Sequence, residues 1–351
     1  MSNSQQSALI IGVTGVIGRG LADHLASLGN WRITGLSRTP LEMAGVEHVS
    51  ADLLQRDGLS AALSGLDHVS HIFFCGFINA PTQAEQVAPN LAMLKNLIEA
   101  GTPNMPKLER VLLNEGNKWY GSHLGPFKTP AKEDSPRCPP PMFYHDQEDF
   151  LRGFAEDKPW SWVGLRPHTV CGFSLGSAMN IMTAIGVYAS LRKEQGMPLT
   201  FPGKPGAFEA VYQATDAHHL ARGQAWAATA DSAADEAFNI TNGDFFRWCN
   251  VWPRLAEFFG MEEGGVKTVS LTETMPALKP MWEDLTARHG LAQHSFERLV
   301  AWPFADYVFG TDWDVMTSTT KIRQAGFHDV VDTEDMLIRI LGEFQSEKVI
   351  P

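Results

Sequence analysis

The sequence is poor in several things, and each scarcity excludes something. It holds four cysteines in 351 residues, Cys75, Cys138, Cys171 and Cys249, far apart and without a C-x-x-C pair. That excludes a disulfide framework and a cysteine-based zinc site, and it fits reduced thiols in a cytoplasmic protein. It has no basic run, and its formal net charge is -12. Neither nucleic acid nor an anionic membrane surface is therefore an expected partner. No stretch approaches the roughly 18 unbroken apolar residues of a spanning helix. The opening MSNSQQS is polar and lacks the apolar core of a secretory signal. There is no internal repeat and no low-complexity tract. The pair His218-His219 lies on a predicted helix, where adjacent side chains diverge, so no metal is expected.

What is present begins at residue 8. Ala8 to Gly20 reads ALIIGVTGVIGRG. Ala8 to Val13 is a short apolar run of the kind that forms a strand buried on both faces. Gly12, Thr14, Gly15 and Gly18 follow in the pattern G-x-T-G-x-x-G, and Leu21, His24, Leu25 and Leu28 continue with helical spacing. Strand, glycine turn and helix together make a phosphate site. The glycines let backbone approach a pyrophosphate, and the helix N-terminus offers free N–H groups and partial positive charge. Gly12, Thr14, Gly15, Val16, Ile17 and Gly18 are the expected cofactor contacts of this turn.

Strand patterns recur at Trp31 to Leu36, His48 to Ala51, His68 to Phe74, Leu108 to Leu113 and Ser161 to Arg166, with helical stretches between them, notably Gln83 to Ala100. This βαβ alternation predicts a Rossmann-type, doubly wound parallel sheet of the α/β class. Residues 1–175 read as the dinucleotide-binding domain and 176–351 as a smaller, mainly helical substrate lobe, with strands returning to the sheet from 210–245. Gly121 to Pro141 holds six prolines and reads as an ordered loop over the cleft, followed by a helix from Phe143 to about Asp157. Ligands in such folds lie beyond the carboxyl ends of the strands. That rule selects Ser37-Arg38, Asp52-Leu53, Cys75 to Phe77, Asn114 to Lys118, and Pro167 to Val170.

The end of the second strand discriminates between cofactors. Leu36-Ser37-Arg38-Thr39-Pro40 has no carboxylate for a ribose 2′-hydroxyl, and Arg38 lies twenty residues past Gly18. A guanidinium fork matches a 2′-phosphate, with Ser37 adding a hydroxyl, so the expected cofactor is NADPH. Asp52 suits either the adenine amino group or a helix N-cap.

The chemistry is harder to place. An ordinary short-chain dehydrogenase carries Y-x-x-x-K on one helix face, yet none of the five tyrosines here has lysine four residues later. Two other segments resolve this. Asn117 to Phe127 reads NKWYGSHLGPF, and Met142 to Asp149 reads MFYHDQED. They resemble the T-G-x-K-H-Y-x-G-P-F and N-F-Y-Y-x-x-E-D motifs of the progesterone 5β-reductase / iridoid synthase-like family of atypical short-chain reductases. The resemblance continues through Arg166-Pro167, Gly172-Phe173-Ser174, Met179-Asn180, Val187-Tyr188-Ala189, Glu236 to Asn239 and Asn242-Gly243-Asp244 to Val349-Ile350-Pro351.

The resemblance implies that Tyr144 and Lys118 are catalytic, with Tyr144 also at the cofactor. It implies NADPH-dependent 1,4-reduction of a small hydrophobic enone. A donor aimed at the carbonyl oxygen stabilises the enolate that develops there. Tyr144 supplies that donor, and Lys118 is expected to orient it and lower its pKa. Phe77, Trp119, His145 and Phe304 are the expected pocket residues. Family resemblance and the aromatic-rich second lobe together imply a homodimer. Glu115 stands where the family has threonine, Trp119 where it has histidine, His145 where it has a second tyrosine, and His168 where it commonly has glycine. Two other readings use the same fold: a carbonyl reductase or epimerase, and a non-catalytic NADP(H) sensor. Asp146, Glu148 and Asp149 read as charges on the first turn of a helix.

Overall fold

The computed structural model describes residues 5–38, 40, 42–177 and 179–351; residues 1–4, Thr39, Leu41 and Ala178 lie outside it. The chain opens β1 (Gln6–Ile11), α1 (Val16–Leu28), β2 (Trp31–Ser37), β3 (Val46–Ser50), α2 (Leu59–Ala62), β4 (His71–Phe74), α3 (Gln83–Gly101), β5 (Arg110–Asn114), α4 (Phe143–Ala155), β6 (Ser161–Pro167) and α5 (Ile181–Glu194). β1 to β6 and the strand Glu236–Ile240 form one seven-stranded sheet, in which Glu236–Ile240 pairs with β6 and the order continues β5, β4, β1, β2, β3. Every pairing in it is parallel.

The apolar run of β1 explains its central place. Leu9 and Ile11 face one layer, with Ile72, Phe74, Val111 and Leu113 from neighbouring strands and Leu94, Leu97 and Ile98 of α3. Ala8 and Ile10 face the other, with Phe73, Leu112 and Val163 and with Leu21 and Leu25 of α1. Alternation along a strand thus delivers apolar side chains to two cores at once, each large aliphatic side chain contributing about 1.5–3 kcal/mol on full burial. The order reverses between β1 and β4, which opens a crevice at their carboxyl ends.

The division of the chain is interleaved. The helix Ala217–Thr229 packs on α1, and Glu236–Ile240 completes the sheet. Ile322 and Phe327 also join the α1-side core. A separate core, built around Trp248, Trp252, Phe201 and Phe309 with α5, underlies the helical lobe. The proline-rich loop is ordered by its backbone: Ala131 N–H donates to Met316 O and Ser318 N–H donates to Ala131 O. No described helix is long and apolar enough to cross a membrane.

Candidate active site

The glycine turn is shaped by contacts that only glycine permits at two positions. Gly12 has φ +76°, and a Cβ there would lie 2.8 Å from Cys75 O. A Cβ on Gly18 would lie 2.3 Å from Gly12 O, so this residue lets α1 pack directly on the end of β1. Gly15 differs. Its backbone is extended at φ -79° and ψ 168°, and it caps α1 with no side-chain hydrogen bond and no acidic residue in the first turn. The first N–H groups of α1 therefore face the crevice without a carboxylate of the chain competing for them.

A cavity of about 420 Å³ opens there. The turn and the start of α1 supply Gly12, Thr14, Gly15, Val16 and Ile17; the position after β2 supplies Arg38; and the segment after β4 supplies Cys75 and Phe77. Lys118, Tyr144, Pro167, Val170 and Phe304 complete the set of expected residues that meet in it. Its apolar walls are Phe77 stacked on Phe143, with ring centroids 5.7 Å apart, and Phe143 against Tyr144 at 4.3 Å.

Tyr144 is the second residue of α4, and its hydroxyl rests against Gly116: a Cβ there would lie 3.1 Å from it. The glycine after Glu115 is thus what lets the phenol reach the cleft. Burial pushes the phenol well above its usual range, and Glu115 and Tyr307 push the same way. This reverses the expected lowering by Lys118, because desolvation of a would-be phenolate dominates. The consequence is a hydroxyl that keeps its proton and donates throughout the physiological range. Lys118, on the short 3₁₀ turn Asn117–Tyr120, holds its ammonium 5.4 Å over the ring of Tyr307. Burial lowers the Lys118 pKa. Burial, with the Lys118 charge, holds His168 down to about 3 and His123 to about 4, so both are neutral neighbours.

Several expected residues lie elsewhere. Trp119 and His145 do not line this cavity. The Trp119 ring lies under the Arg166 guanidinium at 3.8 Å, and His145 Nε2 donates to Trp119 O at 2.9 Å. Both side chains turn behind the cleft, because the 3₁₀ turn that aims Lys118 inward rotates its neighbour away. Trp119 lines a separate polar hollow of about 640 Å³ with Arg166 and Glu148. That hollow has no glycine turn at its wall. Gly18 sits beneath the turn rather than on its surface. Ser37 Oγ bonds His48 Nε2 at 2.9 Å, Asp52 Oδ1 accepts from Leu54 N–H at 3.0 Å, and Leu53 is buried in the α3-side core. These three flank the crevice without lining the cavity.

Glu148 is also not a helix-end charge. It turns inward and, with Glu115, clasps the buried Arg166: Arg166 Nε donates to Glu115 Oε2 at 2.6 Å, and Nη2 donates to Glu148 Oε2. Asp146 alone is acidic in the first turn of α4. Sequence reading missed Tyr307, which lines the cavity one helical step from Phe304 on Trp302–Gly310, their rings 6.2 Å apart. Its i, i+3 spacing from Phe304 was the available signal. Ser122, Phe143 and Met179 were missed as well. Among the described residues no His, Cys, Asp and Glu cluster could hold a metal ion.

Comparison with known proteins agrees with this architecture. Residues 45–351 match the PRISE-like Rossmann-fold domain. The chain is 35% identical to (S)-8-oxocitronellyl enol synthase CYC2 of Camptotheca acuminata, over 99% of this chain and 94% of that protein. It is 34% identical to 3-oxo-Delta(4,5)-steroid 5-beta-reductase of Arabidopsis thaliana, over 98% of this chain and 93% of that protein. Among solved structures, the Thermus thermophilus UDP-glucose 4-epimerase complex with NAD has a TM-score of 0.68 and 17% identity, over 97% of this chain and 99% of that one, a likeness of fold. With near full-length identity to both kinds of enzyme, and with the lysine turn and the tyrosine helix meeting in one cleft, the chain belongs to the PRISE-like Rossmann-fold family of progesterone 5β-reductase and iridoid synthase-like proteins.

Proposed function

We propose that the protein is an NADPH-dependent ene-reductase that reduces the C=C bond of α,β-unsaturated carbonyl compounds. The observation that carries this reading is the Tyr144 hydroxyl, kept protonated and seated against Gly116, in the same cavity as Lys118 and the glycine turn. The relatives' names, a steroid 5-beta-reductase and an enol synthase, fit it.

The chain's residues suit a dinucleotide. Gly12 and Gly18 bring backbone where a Cβ would not fit, and the α1 N-terminus offers N–H groups to a pyrophosphate. Arg38, exposed at the end of β2 and lining the cavity, suits a 2′-phosphate. When bound, NADPH supplies the hydride. Tyr144 then donates its hydroxyl proton in a hydrogen bond to the carbonyl oxygen of the substrate. That bond strengthens as charge grows on the oxygen, which is the condition for accelerating the step. Lys118 places positive charge at the same polar end. Phe77, Phe143 and Phe304 give a flat, apolar enone its walls and exclude water from the enolate.

The test follows NADPH loss with cyclic enones and the matched saturated ketones, with product identification. The expected result is saturated ketone from enone. Tyr144→Phe should lower turnover about 100- to 1000-fold while leaving NADPH affinity unchanged. Alcohol formed from the saturated ketones, or near wild-type turnover by Tyr144→Phe, would overturn the reading.

A further inference from the structure

Behind the Tyr144 phenol the protein buries two carboxylates on one guanidinium. Glu115 and Glu148 are each 3% exposed, and Arg166 is 1% exposed. Arg166 is saturated: besides the two glutamates, its Nη1 donates to Tyr120 Oη at 3.0 Å and to Glu133 O at 3.3 Å. Glu115 Oε1 finds no hydrogen-bond donor among the described residues. Fully ionised, the three groups would carry one net buried negative charge, which desolvation strongly disfavours. The outside help is uneven. Arg137 and Arg152 reach Glu148 Oε1 from the solvent side at 3.4 and 3.5 Å. Glu115 has Arg166 alone.

We propose that Glu115 retains a proton in the folded protein and is a positioning residue for Tyr144, its neutral carboxyl keeping net negative charge away from the oxygen that the phenol serves. The proposal rests on the reading of Tyr144 as the enolate's donor. The geometry gives the connection. Glu115 precedes Gly116, against which the Tyr144 hydroxyl lies, and Glu148 stands one helical turn beyond Tyr144 on α4. A proton on Glu115 turns a partnerless acceptor into a donor within reach of Glu148. Burial and the Glu148 charge together raise Glu115 to about 8, against the pull of Arg166. Burial pushes Glu148 up as well, but Arg166, the hydrogen bond with Glu115 and Arg137 outweigh it and hold Glu148 low. Other titratable or charged groups around the cluster are Tyr120 on the 3₁₀ turn, Glu133 and Arg137 on the loop, and His145 and Arg152 on α4. Lys118 and Tyr307 lie on the cleft side. Loss of the Glu115 proton leaves negative charge beside a developing enolate, so the hydride step slows as pH rises.

Two measurements on the full chain test this. The first is the pH dependence of unfolding by urea, which needs no substrate. A carboxyl held protonated when folded contributes stability that is complete below its unfolded value near 4.5 and is lost as pH rises through about 8. Glu115→Gln is isosteric and removes that loss. Its unfolding constant relative to wild type should fall tenfold or more between pH 5 and pH 9, the other groups cancelling in the ratio. The second is kcat for enone reduction. Wild type should fall about fivefold from pH 8 to pH 9, as a single ionisation to an inactive form with its midpoint near 8 requires. Glu115→Gln should lose that limb. Parallel stability profiles would overturn the retained proton, whatever the activity. Altered stability with the alkaline limb intact in Glu115→Gln would overturn the positioning role alone. An enzyme that reduces no enone fails the functional reading, and the stability ratio then still decides the proton.

Discussion

Replacing single glycines of the first turn by alanine separates what this turn does for the fold from what it does for a ligand. A Cβ on Gly18 would meet Gly12 O at 2.3 Å and Val13 Cα at 2.7 Å, more than half an ångström inside any ordinary contact, and both obstacles are backbone. The helix must move off the strand, and overpacking of this kind costs about 1–3 kcal/mol. A Cβ on Gly15 meets only Gly12 O, at 3.4 Å, an ordinary contact, and φ -79° with ψ 168° suits alanine. Alanine is a poorer cap than glycine, so Gly15→Ala should cost under about 1 kcal/mol. Its methyl, however, stands where the backbone must approach a pyrophosphate, and NADPH affinity should fall more than about tenfold. Urea unfolding followed by tryptophan fluorescence, together with calorimetric titration of NADPH, gives both quantities for both variants. Wild-type stability in Gly18→Ala would show that α1 does not press on β1 as described. Wild-type affinity in Gly15→Ala would show that the pyrophosphate does not lie on this turn.

Three more expectations follow from charge and burial. Arg38→Ala should weaken NADPH about 10- to 100-fold while leaving NADH nearly unchanged, since a phosphate contact by a charged donor is worth about 1.5–3 kcal/mol; calorimetry with an unchanged NADPH preference would reject Arg38 as the phosphate reader. Cys75 faces the cavity, yet burial raises its thiol to about 12, so iodoacetamide at pH 8 should leave it unmodified in the native protein and label it after unfolding, as peptide mass mapping would report. His71, His123 and His219 are held down to about 4, and His168 to about 3, chiefly by burial. Their folded values lie below the unfolded 6.5, so the stability they contribute is present above 6.5 and is lost as pH falls through 4, and urea midpoints should drop across that window.

Much of this protein was legible in its sequence because the signals are local. The run Ala8 to Val13, the glycines after it and the periodic leucines of α1 are neighbours in the chain, and their geometry follows from backbone sterics and strand alternation. The carboxyl-edge rule then named Arg38, Cys75, Lys118, Pro167 and Val170, and the family resemblance added Tyr144; all of them meet in the cavity. Chain order could not say which way a side chain turns once it arrives. Trp119 and His145 are each one residue from a cleft residue, and both point behind it, because consecutive residues on a helical turn are rotated by about 100°. Tyr307 reaches the cavity from a helix nearly two hundred residues after Lys118, a meeting only the packed lobe decides. The charges were the least legible. In the sequence Glu148 reads as a charge on a helix turn and Glu115 only as a carboxylate where the family has threonine; the raised phenol and the retained proton exist only because folding removes water around the two glutamates and sets both against Arg166. The sequence by itself thus determined the Rossmann sheet and the residues at its carboxyl edge, since those follow from short-range pattern. The tertiary structure decided which of them face the cleft and which protons they hold, since orientation and desolvation are properties of the packed whole.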